Sequence, residues 1–227
     1  TSTSTAKLVE DFLDFFTNKI SRHLENLKLI PRIPMDEPTL PETSPKLHIF
    51  SPLTHTELEK VLNRSSNKTC ALDIIPTHLL KKTMATHLPI LLVIVNESFR
   101  SATFPSDYKH GIIAPGIKKL GLDSEVFGNF RPVTNLAFVG KILETVACGQ
   151  MVDHVRDTEM NDPLQSAYAS CHSTETALIK VHSDISCFID SGKACLLVLL
   201  DLSAAFDTVD LGILLTRLEI RFGICDN

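Results

Sequence analysis

Tryptophan is missing from this 227-residue chain, tyrosine occurs twice, and the aromatic content is mostly its twelve phenylalanines. Positive charge is also in short supply: 22 Lys and Arg stand against 27 Asp and Glu, a formal net charge of −5. That balance excludes a small basic protein that coats nucleic acid, while leaving room for a local basic patch. None of the six cysteines, at 70, 148, 171, 187, 195 and 225, forms a C-x-x-C pair, which excludes ordinary zinc-finger spacing. Long apolar runs are lacking too. The longest, residues 88–95 (LPILLVIV), is far below the roughly 18 residues of a membrane helix. Without a secretory signal the cysteines read as free thiols, and the expected location is nuclear or cytoplasmic, not secreted and not in a membrane. No internal repeat is visible. What remains is ordinary globular composition, 44% hydrophobic and 22% charged, enough to bury a sizeable core and incompatible with disorder throughout.

Residues 5–29 place Leu8, Phe12, Phe15, Phe16, Ile20, Leu24 and Leu27 at helical spacing. Six of the twelve prolines then fall between 31 and 52, the mark of an extended linker or a loop laid over a surface. The expected division is therefore an N-terminal helix and Pro-rich linker over 1–52, and a second unit over 53–227. A helix restarts behind Thr54, where Thr54-His55-Thr56-Glu57 fits a capping box. Pro76 suits the first residue of the next helix. Helices are expected over 76–84, 87–101, 137–157, 173–189 (Ser173 as cap) and about 211–220. Short extended segments are expected over 110–117 and 131–135. The apolar run 195–200 has the pattern of a buried strand. The order is helix-rich with few strands, an α+β or α/β arrangement.

The sharpest chemical signal is residues 196–210, LLVLLDLSAAFDTVD. A carboxylate at the end of a buried strand, Asp201, suits a divalent cation such as Mg²⁺, which takes oxygen ligands and shares them with substrate phosphates. Ser203, Ala204 and Ala205 are small enough to let backbone approach a phosphate, and Phe206 adds one large ring. On these residues alone, Asp201 serves equally well as the cap of a helix starting near Ser203. His172 and His182 lack metal spacing and read as cap or surface residues.

That segment, with HSTETALIKVHSDI (172–185) upstream, resembles the reverse transcriptase of non-LTR, LINE-type retrotransposons, closest to Jockey-like elements. Three more blocks agree in order: NKTCALDIIPTHLLKK (67–82), NFRPVTNLAFVGKILETVACGQM (129–151) and DPLQSAY (162–168). The N-terminal helix and Pro-rich stretch are similar to the segment joining endonuclease and polymerase in such elements. The resemblance implies an α+β right-hand polymerase fold, fingers plus the first part of the palm, for an RNA-directed DNA polymerase. Asp201 then matches the first metal-binding carboxylate, with the Leu202 carbonyl beside it on Mg²⁺. The amides of Ala204 and Ala205 would face the incoming dNTP, and Phe206 would exclude a ribose 2′-hydroxyl. Arg131 would clamp the triphosphate, with Lys118 and Lys119 in the basic finger loop. The partners implied are an RNA template and a DNA primer.

The pattern departs from the family in places. No Tyr/Phe-x-Asp-Asp occurs, so two of three metal carboxylates are absent, and Ala167-Tyr168-Ala169 lacks a finger arginine. The chain begins without Met and ends four residues after Gly223, and is expected to be a piece of a longer reading frame, inactive by itself. The alternatives are a non-enzymatic relic, a co-opted binding module, or a receiver-like domain phosphorylated on Asp201. The last would need an acidic pair at an earlier strand end, which is not seen.

Overall fold

A computed structural model of the chain describes residues 2–29, 40–41, 43–202 and 204–225. Most of the expected Pro-rich linker therefore lies outside the described residues, as does Ser203. The described elements run α1 (Ser2–Lys28), α2 (His55–Arg64), α3 (Thr77–Lys82), α4 (Met84–Arg100), β1 (Gly111–Ile117), β2 (Phe130–Leu136), α5 (Phe138–Asp157), α6 (Thr174–Asp190) and α7 (Leu211–Phe222). Helices with one small sheet make an α+β arrangement, as the sequence suggests.

The core is built by α2 to α5. Leu58 and Leu62 on α2, Leu80 on α3, Leu88, Leu91 and Val95 on α4, and Phe138, Ile142, Leu143 and Val146 on α5 form one buried cluster. These positions recur at three- and four-residue intervals, so each helix presents a single apolar stripe. Thr54 caps α2 as the sequence predicts: its hydroxyl accepts from the Glu57 N–H while the Glu57 carboxylate accepts from the Thr54 N–H. Pro76 precedes α3 as its cap residue rather than opening it. Thr77, fully buried, donates its hydroxyl to the Lys68 carbonyl and its N–H to Thr69 Oγ1, which fastens the 66–76 loop onto α3.

Segment 50–54 is laid over α4 and α5 by side-chain amides. Leu53 exchanges two hydrogen bonds with Asn96, Ser51 exchanges two with Gln150, and the Phe50 ring lies 5.1 Å from that of Phe99. Each amide uses one N–H and its oxygen, and so pairs with extended backbone as a neighbouring strand would.

β1 and β2 form an antiparallel pair in the register Gly111↔Leu136 to Ile117↔Phe130. Pro115 faces Pro132 one pair beyond its centre, and neither ring nitrogen has a proton to give to a further strand. The apolar stripe of α1 meets the loop end of this hairpin: the Phe12 ring lies 4.6 Å from Phe127 and 5.1 Å from Phe130, and Phe15 lies 5.8 Å from Phe127.

One expectation is corrected. Residues 195–200 do not form a buried strand; they join no ladder, and Leu196, Leu199 and Leu200 are more than four-fifths exposed. A doubly apolar strand is stable only between hydrogen-bonded neighbours with both faces covered. Among the described residues the only sheet is the β1–β2 pair, and 195–200 does not join it. The flanking α6 and α7 likewise bury no residue. α7 is held at its C-terminal end. Leu47 and Ile224 form a parallel bridge, Leu40 N–H donates to the Ile220 carbonyl, and His154 of α5 bonds the Phe222 carbonyl at 2.8 Å.

Candidate active site

The hairpin brings together two residues that stand 13 apart in sequence. Register opposes Arg131 to Gly116, and Lys118 follows directly on β1. The Arg131 guanidinium donates to the Lys118 carbonyl at 3.1 Å, and the Lys118 ammonium donates to the Gly128 carbonyl at 2.6 Å. Lys118 N–H also bonds the Asn129 carbonyl, and the Asn129 side chain bonds the Asp123 carbonyl, so the 118–129 loop is closed on itself. Both cations are thus oriented by neutral backbone acceptors. Among the described residues none of Lys118, Lys119 and Arg131 enters an ion pair. An arginine has five donors and a lysine three, so donors remain on both for an anion. The side chains are exposed, which leaves the positive charge facing solvent.

The second group of expected site residues is arranged differently. Asp201 is exposed, as are Leu202 and Phe206, the last at 80%. Residues 204–208 form one turn in which the Ala204 carbonyl accepts from the amides of Asp207 and Thr208 and from the Thr208 hydroxyl. Ala204 has a left-handed backbone (φ 52°), a conformation that costs a non-glycine residue about 1–2 kcal/mol. No hydrogen bond or ring contact among the described residues joins 195–206 to the hairpin. The structure therefore brings Lys118 and Arg131 together and leaves exposed Asp201 and Phe206, with half-buried Ala204 and Ala205, in a separate segment.

The donor set does not by itself make a magnesium site. Asp201 offers one carboxylate beside one carbonyl, and no group of three His, Cys, Asp or Glu able to hold a metal occurs among the described residues. Mg²⁺ needs near-octahedral oxygen donors and gives up water reluctantly, so one exposed carboxylate holds it poorly.

One residue that matters to the hairpin carries no local sign of it. Asp73 accepts from the Phe138 N–H at the start of α5, a partner 65 residues away. Only its place in the 67–82 block marks it.

No family model matches the chain. Over 200 residues, 86% of the chain, it is 24% identical to the "Probable RNA-directed DNA polymerase from transposon X-element" of Drosophila melanogaster. The match spans 22% of that polymerase's length. This likeness supports a reverse transcriptase-like region, and the helix-rich α+β arrangement is compatible with it. Among the described residues no helix is long and apolar enough to cross a membrane.

Proposed function

We propose that the chain is the fingers and first palm segment of a LINE-type, Jockey-like reverse transcriptase, whose parent copies an RNA template onto a DNA primer. The observation that carries this reading is the convergence of Lys118 and Arg131 at one end of the hairpin, in the block that resembles the family's fingers. Their unpaired charge suits a triphosphate, and Lys119 adds a third cation nearby in sequence. Arginine binds phosphate oxygens through two parallel N–H bonds, and lysine acts as a point charge.

In this reading Asp201 and the Leu202 carbonyl would hold magnesium only jointly with further carboxylates that this chain does not contain. When bound, the ion supplies charge neutralisation for nucleotidyl transfer. The chain's own residues bind and orient: Arg131 and Lys118 hold the triphosphate, the Ala204 and Ala205 amides face it, and Phe206 blocks a 2′-hydroxyl. The chain alone extends no primer, because a single carboxylate cannot complete the site.

The reading is tested by a longer polypeptide from the same frame, carried through a downstream Tyr/Phe-x-Asp-Asp. It should incorporate dNTP on poly(rA)·oligo(dT), and Asp201→Ala should abolish incorporation. A frame without that motif, or an Asp201→Ala variant at full rate, contradicts it.

A further inference from the structure

Asp73 lies in the turn 70–73 between α2 and α3, yet both of its carboxylate oxygens accept backbone N–H groups. Oδ2 accepts from Cys70 at 2.6 Å, while Asp73 N–H returns a bond to the Cys70 carbonyl at 3.0 Å. Oδ1 accepts from Phe138 N–H, also at 2.6 Å. Phe138 is the first residue of the 20-residue α5, and its cap residue Ala137 has no side-chain acceptor to offer. One of the unpaired amides at the start of α5, the N1 amide that a Ser or Asp at the cap position would not reach, is therefore satisfied from a distant turn. Its negative charge also faces the positive end of the helix dipole.

The same turn also reaches β2, where Cys70 Sγ lies 3.6 Å from the Asn135 carbonyl. The turn is itself rigid, because buried Thr77 bonds Thr69 and Lys68 just before it. The first turn of α5 touches the entry to β1 as well: a Cβ on Gly140 would lie 3.3 Å from the Tyr108 carbonyl. Both ends of the hairpin that meet the body of the molecule thus gather at the β2–α5 junction that Asp73 grips.

We propose that Asp73 is a positioning residue for the hairpin: by holding Asn135–Phe138 against the 70–73 turn, it sets the direction in which Arg131 and Lys118 are presented. The positioning follows from the bonds above; its consequence for a triphosphate rests on the function proposed here.

The experiment is amide hydrogen exchange by NMR on the whole chain, with a parallel titration of dTTP–Mg²⁺. Asp73→Ala should speed exchange of the paired hairpin amides about tenfold, equivalent to about 1.4 kcal/mol, while the buried turns of α2 and α4 keep their protection. Adding Ala137→Ser supplies a different cap in cis, to the Val139 or Gly140 N–H rather than to that of Phe138. The double variant should recover protection in the first turn of α5 and leave the hairpin loosened. Equal loss across α2, α4 and hairpin, or full recovery of the hairpin in the double variant, overturns the proposal, since either makes Asp73 a simple stabiliser or a simple cap. If Asp73→Ala does not fold, Asp73→Asn, which keeps one acceptor oxygen, is read by the same criteria. Unchanged dTTP affinity in a variant with a loosened hairpin would leave the positioning intact and remove the nucleotide reading.

Discussion

Single side chains here act mostly as backbone partners. Thr54 and Glu57 complete each other's bonds at the start of α2, and the Glu57 carboxyl is held below its ordinary 4.5, first by the Thr54 N–H and then by its hydroxyl. A carboxyl lowered by folding contributes stability that is fully present above its ordinary value and is lost as pH falls through the folded one. The first turn of α2 should therefore fray on acidification below about 4.5, seen as loss of amide protection at Glu57 and Leu58, and Thr54→Ala should cost about 1 kcal/mol at neutral pH in chemical denaturation. Gly223 is constrained twice: its φ is +63°, and an added Cβ would lie 3.1 Å from the Pro45 carbonyl. Gly223→Ala should destabilise the α7 terminus by about 1–2 kcal/mol, measured by exchange of the Gly223 and Ile224 amides.

Among elements, those with a local signature are legible in the sequence. The Thr54 and Ser173 caps, the α5 stripe from Phe138 to Val146, and both hairpin strands all follow from residues within a few positions of one another. What is not legible depends on partners far along the chain. The run 195–200 has strand composition, but composition cannot supply the neighbours that make a strand, and it stays exposed. Asp73 reads as an ordinary turn residue because the amide it caps is 65 positions away. Likewise, the charges at 118 and 131 are visible in sequence, but their meeting depends on the Ile117↔Phe130 register. α1 is expected to matter to that hairpin, because the Phe12 ring packs against both Phe127 and Phe130, edge-on to the latter. Phe12→Ala should undock α1, read as faster exchange at the Phe127–Asn129 turn with the α2–α5 core unchanged.

On the scale of the whole molecule, the buried residues among those described lie between Leu58 and Val146, apart from Gly223, and from 160 to 222 none is buried and most large apolar side chains are exposed. The two parts should differ in resistance. Limited proteolysis should cut first within 160–206 and spare the α2–α5 core, and Leu62→Ala should lower core stability by about 2–5 kcal/mol. The exposed apolar run 196–200 makes the isolated chain prone to associate. A broad melt with aggregation is expected, and a sharp two-state transition from a monomer would show instead that 160–225 packs with the core.

Calorimetric or NMR titration of dNTP–Mg²⁺ tests the proposed triphosphate cradle of the hairpin most directly. Millimolar affinity is expected, corresponding to only about 4 kcal/mol. It should weaken with added salt because exposed cations supply the attraction. Arg131→Ala should weaken binding more than Asp201→Ala, since the arginine meets phosphate directly and the aspartate acts through a loosely held ion. An affinity unmoved by Arg131→Ala would contradict the account.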